Sequence, residues 1–275
     1  FFAISAMAAA MITSCSSEDE LSQSNYPSDN IIRVTAGVNN AKTRADGTGT
    51  EMKNDFSLTI VNKNAPKYTY TDKVFSKKSG DWACSETLLW QKSDALVDIV
   101  AFAPAQTGKF NGVYAEGSIK PITYSVASDQ STSSDKNDLL YYYAKDFNPG
   151  ESLDKGKLNI KFNHAFCMID INVTLGTEFN KPSIQTTSPI IKVTLGGTKI
   201  AANVNVTNAA SVVTASETAA ATDITTTNGS FTTAANAETN AKSCFSCIAI
   251  PQTVAANTFK VSLMTAGKLY EWTSD

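Results

Sequence analysis

A single histidine, His164, is the only imidazole in 275 residues. It lacks the nucleophile and orienting partner that a catalytic triad requires. Nor can one histidine anchor a His-based zinc site, where three or four ligands converge. Charge is sparse and balanced, with 23 basic against 26 acidic side chains and a net of −3. That balance excludes a broad basic footprint for nucleic acid. Gly-rich phosphate loops, Gly-x-Ser-x-Gly elbows and long Leu/Glu/Lys helical stretches are missing from the sequence. Carboxylates such as Asp94 and Asp98 are scattered, and nothing singles out a glycosidase pair. Cys244-Phe245-Ser246-Cys247 has no second Cys pair to complete a zinc ribbon. On a strand its two sulfurs point to opposite faces, so Cys84, Cys167, Cys244 and Cys247 read as free thiols. His164 shares a strand face with Phe162 and Phe166 and reads as a structural residue with a hydrogen-bond partner. No catalytic residue, metal site, cofactor or enzymatic activity is expected.

What is present favours strands. Hydrophobic residues make up 42% of the chain, enough for a buried core and too many for global disorder. The length allows two domains. Ala, Thr, Ser, Asn and Val recur, and short apolar runs are bounded by Gly, Pro, Asn, Asp or Ser. Ile32, Val34, Ala36 and Val38 alternate with polar or small residues, the period of a half-buried strand. Phe56, Leu58 and Ile60 repeat the pattern. Further strands are expected at 87–90, 96–102, 122–126 and 139–144. A turn at Phe147-Asn148-Pro149-Gly150 marks the expected domain boundary. Beyond it Leu158, Ile160 and Phe162 alternate, and a long strand carries Ala165, Cys167, Ile169, Ile171, Val173 and Leu175 on one face. Gly196-Gly197 reads as a two-residue hairpin turn. Residues 203–243 form an Ala/Thr/Asn/Ser-rich excursion with weak strands. Phe259, Val261 and Leu263 alternate near the end, and Gly267–Trp272 reads as the return of a hairpin.

The amino terminus carries a different signal. Phe1–Met11 is an apolar run too short to span a bilayer, which takes about 20 residues. It has the length of a signal-peptide hydrophobic region. Ile12-Thr13-Ser14-Cys15 then resembles a bacterial lipobox, with diacylglycerol expected on the Cys15 sulfur and cleavage before it. Ser16-Ser17-Glu18-Asp19-Glu20 opens a polar, acidic leash. It resembles the surface-export signal of lipoproteins in anaerobic Gram-negative bacteria.

Four stretches resemble the fimbrillin family, the subunits of type V pili. Lys42-Thr43-Arg44-Ala45 follows the first strand, as the family's Thr-Arg processing site does. Trp90 and Val97–Pro104 are similar to its tryptophan, strand and Ala-aromatic-x-Pro segment. Asp138-Leu139-Leu140-Tyr141, then Leu158–Ala165, match its Asp-Leu-Leu-Tyr and Leu-x-Phe-x-His-Ala passage. Ile250-Pro251-Gln252 stands where it carries x-Pro-Gln. The resemblance implies an all-β chain with two transthyretin-like Greek-key β-sandwich domains. The expected divisions are a signal peptide at 1–14, a flexible acidic linker at 15–30, and domains at 31–150 and 151–275, the last ending early. It also implies a lipid on Cys15 holding the protein at the outer membrane, and proteolytic processing between Arg44 and Ala45. Its partners would be other pilus subunits, joined by β-strand addition, and a host or bacterial surface receptor. The alternative is a monomeric surface lipoprotein that binds glycan on Trp82, Trp90 or Tyr141–Tyr143. Those aromatics would then form one exposed flat patch, whereas a structural role would put them in the cores.

Overall fold

The computed structural model describes residues 25–39, 52, 54–107, 119–132, 138–181, 186–236 and 238–275. Over these residues the chain is all-β, as expected. Its first strands are β1 (Arg33–Val38), β2 (Phe56–Val61), β3 (Tyr70–Lys78), β4 (Asp81–Cys84), β5 (Val97–Ala103), β6 (Ile122–Ser125), β7 (Leu140–Phe147) and β8 (Lys157–His164). All but β6 close into a barrel in the order β1-β4-β3-β2-β5-β7-β8. The expected β-sandwich architecture holds in its multiple packed sheets, and the first of these closes on itself. The barrel arises because β1 bridges the two edges that β4 and β8 would otherwise expose.

Alternation fills the barrel. Phe56, Leu58 and Ile60 meet Ile99 and Ala101 and, from β8, Leu158, Ile160 and Phe162. Phe56 stacks on Phe75 at 5.3 Å and takes the edges of Trp82 and Phe162 at 4.9 and 5.5 Å. Each such ring pair adds about 0.5–1.5 kcal/mol beyond the area it buries. β5 is buried along its whole length. Ile99 and Ala101 face the barrel, while Val100 and Phe102 belong to a second core shared with the later strands. A strand covered on both faces reads as a continuous apolar run, which is how Val97–Ala103 is written. Its one charge, Asp98, is buried, accepts the Asp146 amide at 2.9 Å and pairs with Lys63 at 3.0 Å.

The later strands are β9 (Cys167–Thr174), β10 (Ile190–Gly196), β11 (Ala201–Val204), β12 (Val213–Ala215), β13 (Ile224–Thr225), β14 (Thr227–Thr232), β15 (Lys242–Ala249), β16 (Lys260–Thr265) and β17 (Leu269–Thr273). They form sheets β13-β10-β16-β17 and β14-β15-β9, and β6 joins β11 and β12. The expected boundary at 150 therefore falls between two strands of the closed barrel, β7 and β8, while β6 pairs with the later half.

Two local expectations fail. β10 and β11 do not pair across Gly196-Gly197, because β10 joins β13 and β16 whereas β11 turns to β6 and β12. Gly197 serves that change of sheet. Its φ is +82°, and a Cβ there would lie 1.9 Å from the Thr258 carbonyl oxygen, so no larger residue fits. The segment 87–90 forms a single bridge, Ile31 to Leu89, rather than a strand. The β16–β17 hairpin, by contrast, forms as its sequence indicates.

Candidate functional site

β1 is the strand whose position carries functional meaning. Ile32 and Val34 are buried in the barrel core, and Ala36 and Val38 pack half-buried against it. Along β8 the strand makes six register pairs, from Arg33↔Lys157 to Val38↔Phe162, and these are parallel. The other strand ladders of the barrel are antiparallel. Parallel neighbours need a long crossover connection, so β1 reached this slot from outside the hairpin order. Asn39 extends the β8 contact, its amide donating to the Phe162 carbonyl at 2.8 Å and its side chain to Asn163 at 3.0 Å.

The opposite edge of β1 is held unevenly. At its start the Ile32 amide donates to the Leu88 carbonyl at 2.9 Å and the Trp90 amide to Asn30 at 2.8 Å. Asp29 and Arg33 add an exposed ion pair at 2.6 Å, and the Arg33 guanidinium holds the Asp29 carboxyl down at about 2. Further along, β4 contributes one pair, Val34↔Trp82. β4 then ends in the tight turn Ser79-Gly80, whose φ values are 51° and 97°. It is too short to reach Ala36 or Val38.

The residues named for a glycan platform do not share a surface. Trp90 is 3% exposed and stacks on Phe147 at 6.0 Å. Trp82 and Tyr142 pack against the barrel core, Tyr141 and Tyr143 against the second core. They lie in two cores. Sequence reasoning missed the large aromatics exposed among the described residues, Tyr270 and Trp272 on β17. Their alternation resembles that of a buried strand, and only the absence of a covering layer among the described residues distinguishes them.

His164 has the partner expected of it. Its Nδ1 lies 2.6 Å from Asp138 Oδ2, and the two side chains are mostly buried where the barrel meets the second core. Among the described residues no cluster of His, Cys, Asp or Glu is arranged to hold a metal. No helix among them is long and apolar enough to cross a membrane. Among the described residues Cys84, Cys167, Cys244 and Cys247 form no disulfide, and burial pushes the Cys247 thiol up to about 12. Cys15, Arg44 and Ala45 lie outside the described residues.

The passages that carried the resemblance have structural roles. The Ala103–Pro104 peptide is cis. Gln252 of Ile250-Pro251-Gln252 clamps Lys199, accepting its amide and donating to its carbonyl, both at 2.9 Å.

No curated protein matches the sequence. Among solved structures, a candidate cell adhesion protein from Bacteroides uniformis aligns at 14% identity with a TM-score of 0.55. That alignment covers 90% of this chain and 85% of the other. A fimbrial protein from Bacteroides vulgatus aligns at 15% identity with a TM-score of 0.53, covering 88% and 87%. These likenesses are of fold. The family model described as fimbrillin-like matches residues 43–275, most of the chain and all but the first of its strands, and by that match the protein belongs to the fimbrillin-like family.

Proposed function

We propose that the protein is a structural or adhesive subunit of a surface fimbrium rather than an enzyme. It is exported as a lipoprotein through Cys15 and joined to other subunits by β-strand addition after cleavage between Arg44 and Ala45. One observation carries this reading: β1 closes the barrel in parallel with β8, and Arg44 lies in the sequence that follows it. Cleavage there severs β1 and everything before it from the rest of the barrel. Loss of β1 leaves β4 and β8 as unpaired edges beside Leu158, Ile160 and Phe162. Such a groove is costly to leave empty, because its backbone groups and apolar floor both face water. An extended segment of another subunit satisfies both. The fimbrillin-like match supports the same reading.

Limited trypsin digestion, N-terminal sequencing and sizing test it. The expected result is a new terminus at Ala45, release of β1, and oligomers that form only after the cut. Resistance at Arg44, or a cut protein that keeps β1 and stays monomeric with added donor peptide, refutes strand addition. For the anchor, Cys15→Ala should release the protein from the membrane fraction or leave an unprocessed precursor. Two acyl chains hold what one cannot, at roughly 0.8 kcal/mol per buried methylene. Unchanged, detergent-independent retention of that variant refutes the lipid.

A further inference from the structure

The two ends of β1 are held very differently. Even-numbered residues of β1 turn their backbone groups away from β8. Ile32 bonds to Leu88 and Val34 pairs with Trp82, whereas Ala36 and Val38 have no strand partner on that side among the described residues. The turn at Ser79-Gly80 ends β4 short of them. On the outer face of the β1–β8 pair an open cleft of about 460 Å³ lies over Thr35–Asn39 and over Asn159 and Lys161, so nothing among the described residues covers this half of the strand from outside. Apolar anchoring follows the same gradient. Ile32 and Val34 are 6% and 5% exposed, while Ala36 and Val38 are half-buried and Gly37 contributes no side chain. Among the described residues, the Val38 end is therefore held on the β8 edge alone, by half-buried Ala36 and Val38 and by Asn39, and the Ile32 end on two edges by buried Ile32 and Val34.

From this asymmetry we infer that strand replacement runs in one direction, starting at the Val38 end of the β8 edge and finishing at Ile32. The inference rests on the reading of β1 as a replaceable strand. β1 peels first where each residue released exposes least apolar surface and breaks one ladder rather than two. The incoming strand takes its first pairs on β8 beside Phe162, as Val38 and Asn39 release that edge. It then zips toward Leu158 as Val34 and Ile32 leave. Register also sets its chemistry. The occupant is an extended segment of another subunit with apolar residues alternating inward at the places of Ile32, Val34, Ala36 and Val38.

The test uses protein cut after Arg44 and fluorescent peptides copying residues 29–39. Uptake of the full peptide should be first order in peptide, because invasion and peeling are coupled. A peptide ending at Ala36 has lost the foothold and should associate at least about tenfold more slowly. One starting at Arg33 keeps the foothold; it should associate within about twofold of the full peptide and dissociate faster, since affinity lost after the first contacts appears in the off-rate. Slowed association by the peptide starting at Arg33, or uptake independent of peptide concentration, overturns the direction while leaving strand replacement intact. Failure of every peptide to bind, even after β1 has been washed out in urea, overturns strand replacement and this inference with it.

Discussion

Gln130 offers the sharpest test of what holds the second core together. It lies in the polar stretch Ser128–Thr132, yet it is fully buried. Its side-chain amide accepts the Ile248 N–H at 2.8 Å and donates to the Ile248 carbonyl at 2.9 Å and to Ala127 at 3.1 Å. β14 pairs with β15 as far as Thr227↔Ser246, and Gln130 satisfies the next backbone position along that edge. The side chain thus stands in for a missing strand residue. Gln130→Ala strands both Ile248 backbone groups in the core, whereas the exposed Ala127 carbonyl can turn to water. Each buried orphan costs about 1–3 kcal/mol, so the loss lies between about 2 and 6 kcal/mol. A water entering the vacated space would satisfy part of it and hold the value near about 3 kcal/mol. For a protein of this size that lowers Tm by roughly 6–12 °C. Thermal and urea unfolding followed by circular dichroism measure it, with the urea m-value unchanged.

Gln130→Glu supplies the control. A carboxylate still accepts from Ile248 N–H but faces the Ile248 carbonyl without a proton to donate. Burial raises the folded-state pKa of that acid above its unfolded value. Its penalty is therefore full above the folded pKa and shrinks as pH falls through it, because the neutral acid can donate again. The variant should regain stability relative to the parent between neutral pH and about pH 4. A Gln130→Ala loss under about 1 kcal/mol, or a Gln130→Glu deficit that is flat with pH, would refute the assigned role.

Three further outcomes are expected. Gln252→Ala removes the clamp on Lys199 and should cost about 1–3 kcal/mol in urea unfolding, since its bonds lie in a partly exposed site. Native alkylation near pH 8 should leave Cys247 unmodified until the protein is denatured, because its thiol is buried and held protonated near about 12. The Asp29 carboxyl, followed by NMR, should titrate near about 2 and return toward the usual carboxylate range in Arg33→Ala. The folded pKa is depressed, so the contribution of this ion pair is present above the ordinary carboxylate pKa and lost as pH falls toward about 2. High salt should weaken it, since both groups are exposed.

Periodicity was enough to mark most strands. Ile32/Val34/Ala36/Val38, Phe56/Leu58/Ile60 and Leu158/Ile160/Phe162 each place one face in the barrel core, because a two-residue repeat fixes which side chains point inward. The apolar run at 96–102 likewise indicated a strand, and the structure shows β5 covered on both faces. Pairing is another matter, since it depends on which edges meet in space. Nothing within Arg33–Val38 distinguishes an antiparallel neighbour from the parallel one it has in β8. The two glycines after β10 have the chemistry of a hairpin, yet close approach to Thr258 sends the chain to another sheet. Tyr270 and Trp272 alternate like core residues and are exposed because no described sheet covers that side of β17. Gln130 drew no notice in the sequence and Gln252 stood out only through the family resemblance; the fold brings each amide to an otherwise unpaired backbone. Local side-chain chemistry determined the elements; long-range contact decided which backbone groups they satisfy, and so which strand closes the barrel.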